Sequence, residues 1–518
     1  MPDHKPTDEQ QAIIEAVANP QGASLMISAY AGTAKTTTLE MAAPGVKQQA
    51  LALAFNKKIA DELSGKMPPN FKVQTLNGLG HGAWMRTLPN SVKLDTSKLG
   101  KLVTATAKDR KVQLMSDQWD SVRQGVTAAM QAGLSPNNIG EPFVQDTPEV
   151  WADILEDVHS DEFDLVHFMC REVLTESINM GRAGIITFDD QVYLPTILGG
   201  KWFQYPRVFV DESQDLSPLN HRMLEKCAIG PITVVGDPRQ AIYKFRGADS
   251  ESMTTMRRLR TRWDDKSLTL TFRCPKAIVA RQQEHAPGYT AFATNPDGFF
   301  AVPPIDPETY EGLWKWSFIE QHMVDIQAPG CAILCRNNAP LLSMAFKLIA
   351  SGIGCHMLGR DIGKGLERLV KKLSKDDTSM PIVKFMGILH EWLDREIAIS
   401  TANDKPERAD KIQDQADCIQ ATIDGSNPSN VGDLLSTIDR MFSRDRGLVT
   451  LSTIHRAKGL EWPLVVHLDP WRIPSKQALM AYERGDPSHL IQENNLRYVA
   501  ETRTRHTLIE ADSRSFRT

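Results

Sequence analysis

The chain has 518 residues, a length that suggests roughly three or four domains. With 41% hydrophobic and 24% charged residues it has the composition of an ordinary soluble globular protein. The net charge of −5 neither indicates nor excludes nucleic-acid binding, because a basic groove can lie on an acidic protein.

The seven cysteines are scattered and form no Cys-x-x-Cys pair, which predicts buried free thiols rather than disulfides or a zinc site. The N-terminus lacks the apolar core of a signal peptide, and no apolar run approaches the length of a membrane span. We therefore expect a cytoplasmic protein that does not act at a membrane. It would lie in the nucleoid or the host cytoplasm, or in the nucleus of a eukaryote.

The first predicted element is an amphipathic helix. Thr7 is its N-cap, Gln10 lies three residues further on, and Ile13, Ile14 and Val17 line one face. Gln10 is either an ordinary residue of this helix or a residue that reads adenine. A glutamine amide can pair with both the donor and the acceptor edge of that base.

Residues 25–39 predict a strand, a tight loop and a helix, which is the layout of a phosphate-binding loop. The helix N-terminus favours a phosphate, Lys35 supplies a mobile charge, and the hydroxyl that follows it can reach Mg²⁺. The strict loop pattern is not met. Ala29 and Ala34 replace its first and last glycines, and only Gly32 remains. An ordinary strand-to-helix turn is the alternative for this stretch alone.

Residues 49–63 predict an apolar strand followed by a helix, and residues 72–76 predict a strand that runs into a glycine-rich loop. Such strand ends are the places where parallel sheets bind ligands. The chain from about 84 to 180 then becomes helical and rather polar. We interpret this part as an insertion between strands of one sheet.

Two later strands end in polar residues. Strand 208–210 is followed by Asp211 and Glu212, which can hold Mg²⁺ through water and deprotonate an attacking water. An acidic pair after an apolar run is frequent, so this motif alone is weak. The strand that begins at Ile232 leads to Gln240. Together the strands deliver polar groups to the sheet edge that carries the loop.

Residues 268–275 alternate in character and predict a further strand that ends at Arg273, and the Pro/Gly-rich segment 287–307 predicts a linker between domains. A second α/β pattern opens at 330–336 and is followed by a helix at 339–349.

Residues from about 362 to 445 are helical and charge-rich, which predicts a second insertion. The sheet pattern resumes at 447–467, and a last helix carries residues 495–505. The expected fold class is therefore α/β, with two parallel-sheet domains that are each interrupted by a mainly helical insertion.

Three motifs are specific when they occur together: Asp-Glu-Ser-Gln-Asp at 211–215, Gly-Asp-Pro-Arg-Gln-Ala-Ile-Tyr-Lys-Phe-Arg-Gly-Ala-Asp at 236–249, and Thr-Ile-His-Arg-Ala-Lys-Gly-Leu-Glu-Trp at 453–462. In this order they resemble the motifs of superfamily 1 DNA helicases of the UvrD/Rep/PcrA type. Ala-Phe-Asn-Lys at 54–57 is similar to the F-box helicase branch. The resemblance runs from Thr7 to about Ile509.

The resemblance implies two RecA-like P-loop motor domains, with ATP in the cleft between them and single-stranded DNA across both. The implied domains are 1–83 with 181–285 (first motor domain, 1A), 84–180 (helical insertion, 1B), 286–361 with 446–518 (second motor domain, 2A) and 362–445 (short helical insertion, 2B-like).

The resemblance also implies contacts with ATP and Mg²⁺. They fall on Gln10 (adenine), Ala31, Gly32, Thr33, Ala34, Lys35, Thr36 and Thr37 (phosphates), Thr36 and Asp211 (Mg²⁺), Glu212 (general base), Gln240, Arg273 and Arg503 (γ-phosphate) and Glu461 (ribose). For each arginine the alternative is a surface ion pair, which is worth little.

The implied DNA contacts are aromatic rings, on which any base can stack, and polar groups that hold phosphates. They are Phe55, Asn56, Lys57, Thr75, Tyr243, Phe245, Arg246 and His455. Taken alone, Phe55 and Tyr243 are also compatible with core residues. Asn77 stands where many relatives have histidine, which puts that DNA contact in doubt.

The implied activity is that of an ATP-dependent DNA helicase or translocase, which moves 3′ to 5′ on single-stranded DNA in repair, replication or recombination. Its partners would be single-stranded DNA and single-strand/duplex junctions, and an accessory loading protein is a further candidate partner. The isolated protein would be monomeric. Three alternatives stay open: a translocase that displaces proteins with little unwinding, a nucleic-acid-binding protein with an impaired motor, and a motor that moves on RNA.

Overall fold

The computed structural model describes residues 5–19, 22–54, 56–155, 160–242, 252–303, 314–402, 406–443, 448–485 and 487–516. The chain divides into two compact units. Unit 1 is Met1–Ala29 with Ala34–Leu268, and unit 2 is Tyr30–Thr33 with Thr269–Thr518.

Unit 1 is built from short strands and from helices of up to 23 residues. Its strands are β1 Ser24–Ala29, β2 Ala50–Ala54, β3 Phe71–Thr75, β4 Lys93–Leu94, β5 Ile185–Ile186, β6 Arg207–Val210, β7 Ile232–Gly236 and β8 Trp263–Leu268. Its helices are α1 Asp8–Ala18, α2 Lys35–Ala42, α3 Lys57–Ser64, α4 Leu76–Thr87, α5 Lys98–Asp109, α6 Ser116–Gln131, α7 Pro148–Ile154, α8 Ser160–Arg182, α9 Phe188–Ile197, α10 Pro218–Cys227 and α11 Ser252–Met256.

The main sheet of unit 1 has six strands in the order β3-β2-β6-β7-β1-β8, and its neighbouring strands run parallel. Its inner strands are almost continuously apolar because helices cover both faces of the sheet. One face packs on a cluster that contains Ile13 and Leu39, and the other on a cluster that contains Leu53 and Leu224. The sheet therefore holds its polar strand ends on a rigid base.

Helices α5 to α8 lie between β3 and β6 in the chain and have a hydrophobic core of their own, in which Trp151 and Tyr193 are buried. Inside this core Lys98 Nζ donates to an Asp190 oxygen at 2.7 Å and to the Ser177 carbonyl oxygen. Burial lowers the pKa of Lys98, although Asp190 opposes the shift. The expected helical insertion in the first sheet is confirmed.

Unit 2 repeats this plan. Its strands are β9 Leu270–Thr271, β10 Thr290–Ala291, β11 Phe299–Ala301, β12 Cys331–Cys335, β13 Cys355–Met357, β14 Val449–Thr453, β15 Trp462–Leu468 and β16 Thr504–Ala511. Its helices are α12 Lys276–Arg281, α13 Trp316–Asp325, α14 Ala339–Ala350, α15 Arg360–Ser374, α16 Ile382–Ala402, α17 Pro406–Ser426, α18 Val431–Ser443, α19 Ile454–Ala457, α20 Lys476–Glu483 and α21 Ser488–Glu501.

The main sheet of unit 2 is also six-stranded and parallel, in the order β11-β16-β15-β12-β14-β13. Helices α15 to α18 are inserted between β13 and β14, and their apolar faces join the same core as the sheet. The predicted fold class, two parallel α/β domains that each carry a helical insertion, is confirmed.

Three predicted elements are wrong in detail. The strand expected at 268–275 is shorter than predicted: β9 covers only Leu270–Thr271, and the preceding strand β8, which ends at Leu268, is the one that pairs with β1. The expected linker 287–307 contains β11, which pairs with β16. The expected helix over 495–505 ends at Glu501, because the threonine-rich sequence that follows favours the strand β16.

All seven cysteines are free and buried, as predicted. No helix in the described part of the chain combines the length and the apolar character that are needed to cross a membrane.

Candidate nucleotide and DNA site

The predicted nucleotide residues of unit 1 gather at the carboxyl edge of its sheet. Strands β6, β7 and β1 are neighbours, so the residues that follow them in the chain are held side by side. Helix α2 begins at Lys35 after β1, Asp211 directly follows β6, and Gln240 ends a short 3₁₀ turn after β7.

Two contacts join the end of β1 to the end of β6. The Thr36 hydroxyl donates to Asp211 Oδ2 at 2.6 Å, and Lys35 Nζ lies 3.4 Å from Glu212 Oε1. Burial and the neighbouring charge of Glu212 raise the pKa of Asp211 to about 6, against the opposing effects of Thr36 and Lys35.

These residues fit a magnesium ion. Carboxylate and hydroxyl oxygens are the hard ligands that Mg²⁺ prefers, and Thr36 and Asp211 present one of each in direct contact. Burial and the charge of Glu212 raise the pKa of Asp211, so its ionised form needs charge compensation. A divalent cation at this position would supply that compensation.

Glu212 is the first member of a chain of hydrogen bonds. Gln214 Nε2 donates to Glu212 Oε2 at 2.6 Å, and Gln214 Oε1 accepts from the Asp237 N–H at 3.0 Å. Asp237 Oδ2 in turn accepts from Gln240 Nε2 at 2.7 Å. Gln214 and Asp237 lie within the motifs at 211–215 and 236–249, but their residue types alone do not mark them as members of the site.

Gln10 is buried and has two partners inside unit 1. Its side-chain oxygen accepts from the Thr7 N–H at 3.0 Å and completes the predicted capping box of α1, while its amide donates to the Thr38 hydroxyl at 3.1 Å. The structure thus ties Gln10 to the N-terminus of α1 and to helix α2. Its proposed contact with adenine stays a prediction.

Ala34 has a left-handed backbone, with φ 59° and ψ 42°, and stands as the N-cap of α2. Its carbonyl oxygen accepts from the N–H and the hydroxyl of Thr38, at 2.9 and 3.0 Å. Thr37 lies half-buried in the first turn of the same helix. The loop therefore keeps the backbone form that glycine adopts most easily, at an energetic cost to alanine.

Three predicted DNA residues of unit 1 lie at the same sheet edge but at the ends of β2 and β3, away from β1. Asn56 caps α3 by accepting from the Ile59 N–H at 3.0 Å, and the exposed Lys57 begins that helix. Thr75 caps α4 by accepting from the Gly78 N–H at 3.1 Å. Phe55, Tyr243, Phe245 and Arg246 lie outside the described residues.

Asn77 has a structural contact in unit 1. Its amide donates to the Phe188 carbonyl oxygen at 2.8 Å.

Residues Ala31, Gly32 and Thr33 of the loop belong to unit 2, where tyrosines fix Ala31 on both sides. The Ala31 N–H donates to the Tyr498 hydroxyl at 2.8 Å, and the Tyr289 hydroxyl donates to the Ala31 carbonyl oxygen at 2.6 Å. Gly32 has φ +70°, and a Cβ there would lie 2.5 Å from that of Arg273. No other residue fits this position without movement of its surroundings.

Arg273 and Glu461 form an ion pair in unit 2, and Arg505 Nε also donates to Glu461 Oε1, at 2.9 Å. Burial disfavours the ionised form of Glu461, but Arg273 and Arg505 outweigh that effect and lower its pKa. Both partners of the ion pair line a cavity of about 500 Å³, together with His356 and other residues of unit 2.

Arg503 lies between α21 and β16 and is 1% exposed. Its guanidinium donates to the carbonyl oxygens of Val499 and Leu460, at 3.0 and 3.3 Å, so the surface ion pair considered for this arginine is wrong. The predicted DNA contact His455 is half-buried in the short helix α19.

Comparison with protein-family models finds two matches in chain order: the UvrD/REP helicase N-terminal domain over residues 7–259, and the UvrD-like helicase C-terminal domain over residues 362–511. F-box DNA helicase protein 1 of Schizosaccharomyces pombe is 23% identical over 98% of this chain and 57% of its own length.

Two further relatives match shorter parts. F-box DNA helicase 1 of Gallus gallus is 28% identical over 47% of this chain and 24% of its own length. ATP-dependent DNA helicase UvrD1 of Mycobacterium leprae is 41% identical over 14% of this chain and 9% of its own length. The chain thus spans little more than half the length of the S. pombe relative and less of the others. Since the two family models match successive parts of one helicase architecture, the chain belongs to the UvrD-like helicase family.

Proposed function

We propose that the chain is an ATP-dependent DNA helicase or translocase that moves on single-stranded DNA. The observation that carries this proposal is the group at the carboxyl edge of the unit 1 sheet, where Lys35, Thr36, Asp211 and Glu212 contact one another. The relatives named above are DNA helicases, which supports DNA as the track.

In this proposal unit 1 binds the phosphates of ATP. The N-terminus of α2 and Lys35 bind the β- and γ-phosphates, and Lys35 exchanges its contact with Glu212 for phosphate oxygens. Thr36 and Asp211 hold Mg²⁺, which when bound neutralises charge on the phosphates.

Glu212 orients a water molecule and takes its proton as the oxygen attacks the γ-phosphorus. The bond from that phosphorus to the oxygen shared with the β-phosphate breaks, and the products are ADP and inorganic phosphate. Departure of Lys35 from Glu212 leaves this carboxylate available as the base.

In unit 2 we assign Arg273 and Arg503 to the γ-phosphate and Glu461 to the ribose. Both arginines have protein partners, so each must exchange them for the nucleotide. Two cationic groups at the γ-phosphate would neutralise the charge that spreads over its oxygens in the transition state.

We assign DNA binding to the polar residues Asn56, Lys57, Thr75 and His455 and to the aromatic residues of the helicase motifs. Such contacts hold phosphates and stack bases without reading sequence. Movement 3′ to 5′, a role in repair, replication or recombination, and a location with cellular DNA complete the proposal, together with the domain limits given above.

The test is ATP hydrolysis measured with no nucleic acid, with single-stranded DNA and with RNA, all in the presence of Mg²⁺. We expect DNA to stimulate turnover well beyond RNA, and Lys35→Ala to abolish turnover while DNA binding persists. Lys47→Ala is the matched control, because this lysine of unit 1 is exposed and donates to the Pro44 carbonyl oxygen in its own turn. Undetectable hydrolysis by the wild type with DNA binding retained would instead identify a protein with an impaired motor.

Strand separation needs a second measurement. Unwinding of a duplex with a 3′ single-stranded tail, at a rate that follows ATP turnover, would identify a helicase. DNA-stimulated turnover that removes a bound protein from the single strand, but leaves the duplex paired, would identify the translocase.

A further inference from the structure

Gln214 is a buried side chain with hydrogen bonds at both ends of its amide. It lies in the 3₁₀ turn after β6 and is 2% exposed. Its Nε2 donates to Glu212 Oε2 at 2.6 Å and to Asp215 Oδ2 at 3.2 Å, and its Oε1 accepts from the Asp237 N–H at 3.0 Å. Both ends of the amide are thus directed at the ends of β6 and β7.

The chemistry of these partners fixes the orientation of the amide. If its oxygen and nitrogen were exchanged, the oxygen would face two carboxylates and the NH₂ group would face the Asp237 N–H. Both contacts would be repulsive. Gln214 therefore acts as a donor toward Glu212 and as an acceptor toward Asp237, and a side chain with only one of these capacities cannot replace it.

Two features of the backbone adapt to this arrangement. Glu212 has a left-handed backbone with φ 51°, which is costly for a residue with a side chain and persists only where the surroundings enforce it. At Gly236 a Cβ would lie 2.6 Å from Gln214 Oε1, so the end of β7 can approach the amide only because that position is glycine.

The hydrogen bonds continue beyond Asp237. Its Oδ2 accepts from Gln240 Nε2 at 2.7 Å, and its Oδ1 accepts from the Arg239 N–H at 3.1 Å. A continuous series of contacts, Glu212–Gln214–Asp237–Gln240, thus joins the residue assigned as general base to the residue assigned as γ-phosphate sensor.

We propose that Gln214 is a positioning residue of the ATPase site, which holds the Glu212 carboxylate in line with the water and couples its position to Gln240. This inference rests on the proposed function. It assigns no proton transfer to Gln214, whose neutral amide stays neutral throughout. Movement of Gln240 on nucleotide or DNA binding would reach Glu212 through the Asp237 and Gln214 hydrogen bonds.

The test is Gln214→Met in the full chain. Methionine has a similar length and fills the same buried space, but it lacks both hydrogen-bonding ends. We expect kcat with single-stranded DNA to fall about 10- to 100-fold, while KM for ATP stays within about threefold, because Glu212 is misplaced but the phosphate contacts remain.

Gln118→Met is the matched control. Gln118 is also buried in unit 1, accepts from the Met115 N–H at 3.0 Å and donates to Glu162 at 3.0 Å, but it lies in the helical insertion. Its substitution should leave both kcat and KM at wild-type values. A fall in kcat equal to that of Gln214→Met would assign the effect to lost structure and overturn the inference.

A double-mutant cycle with Gln240→Ala measures the coupling. If the two residues act through the hydrogen-bonded series, the double variant loses little more activity than the more damaging single variant. Multiplicative losses, or a Gln214→Met kcat equal to that of the wild type, would overturn the inference.

If the wild-type protein shows no DNA-stimulated turnover, the proposed function itself is overturned. This result is distinguishable from failure of the Gln214 inference, in which wild type turns over ATP normally. Should Gln214→Met not fold, as judged by its unfolding midpoint, Gln214→Glu takes its place in the cycle. Glutamate keeps the acceptor for the Asp237 N–H but sets a like charge against Glu212, so the same selective loss of kcat is expected.

Discussion

The residues assigned to Mg²⁺ and the phosphates in unit 1 contact one another across strand ends, whereas the two arginines assigned to the γ-phosphate in unit 2 contact a carboxylate or backbone carbonyl oxygens. In unit 1, Thr36 donates to Asp211, and Lys35 pairs with Glu212. The parallel strands β6 and β1, which lie on either side of β7, fix these distances, because Asp211 and Glu212 follow β6 and helix α2 begins after β1. The chemical group needed for a magnesium–phosphate complex is therefore assembled by the sheet itself.

In unit 2 the cationic groups have partners within their own unit. Arg273 is paired with Glu461, and the buried Arg503 donates to the carbonyl oxygens of Val499 and Leu460. These side chains must break contacts with their own unit before they can bind a phosphate. In the proposed cycle, Lys35 of unit 1 and the two arginines of unit 2 are therefore the groups that change partners, while Thr36 and Asp211 form the fixed part of the site.

The largest expected effect tests the unit 2 side of this contrast. Arg273→Ala should lower DNA-stimulated kcat about 1,000-fold, because an arginine at a transferring phosphoryl group stabilises the charge of the transition state. Binding of single-stranded DNA, measured by fluorescence anisotropy, should stay near the wild-type value.

Arg505→Ala is the matched control, since Arg505 pairs with the same carboxylate of Glu461 but has a side chain that is 59% exposed. Its loss should change kcat less than about threefold, because exposed ion pairs contribute little. If both variants lose activity to the same extent, Arg273 serves only as a partner of Glu461.

The next effect concerns the free energy of unfolding and its dependence on pH. Burial and the charge of Glu212 raise the pKa of Asp211 to about 6, above its ordinary value of 3.8. Such a group stabilises the fold fully below pH 4, and this contribution is lost as the pH rises through 6. As the pH rises between these values, the free energy of unfolding of wild type should therefore fall by roughly 3 kcal/mol relative to that of Asp211→Asn. The measurement is urea unfolding in EDTA.

Glu461 supplies the opposite case in unit 2. Because Arg273 and Arg505 lower its pKa, its contribution to stability is present above its ordinary pKa and is lost as the pH falls. As the pH falls, the free energy of unfolding of wild type should therefore decrease relative to that of Glu461→Gln, which is opposite in sign to the change expected against Asp211→Asn. If the free energy of unfolding changes with pH in the same direction against both variants, the pKa values of Asp211 and Glu461 are not shifted in opposite directions.

The sequence predicted the unit 1 site well because its residues follow apolar runs that are easily recognised. Asp211 and Glu212 follow β6, and Lys35 and Thr36 follow β1, and parallel strands place these ends at one edge. Gln214 escaped notice, since nothing in the sequence tells a buried, doubly bonded glutamine from an exposed one.

The sequence was less informative about strands that bury little. β8 has the sequence Trp-Asp-Asp-Lys-Ser-Leu, in which only Leu268 is buried, because this strand lies at the edge of its sheet. β11 has three residues at the edge of the second sheet, where an apolar pattern has no room to develop. The helix predicted over 495–505 extended into the first two residues of β16, because Thr504 and Arg505 carry no apolar pattern that separates strand from helix.

The missing glycines of the phosphate loop show how far a motif pattern can be relaxed. Ala29 lies inside β1, where the extended backbone accepts any side chain, so glycine is not needed there. Gly32 combines φ +70° with no space for a Cβ within unit 2. Ala34 is the intermediate case, because only its left-handed backbone favours glycine.

The smallest expected effect follows from this intermediate case. Ala34→Gly should relieve a left-handed penalty of about 1–2 kcal/mol and add the entropic cost of a glycine in the unfolded chain, about 0.5–1 kcal/mol. The balance is a gain of about 0.5 kcal/mol in the free energy of unfolding, measured with urea. The control is Ala12→Gly at an exposed position inside α1, where the right-handed backbone makes the same change cost about 1 kcal/mol. The sign of the difference between the two variants is decisive: if Ala34→Gly destabilises as much as Ala12→Gly, the backbone at Ala34 is not left-handed in solution.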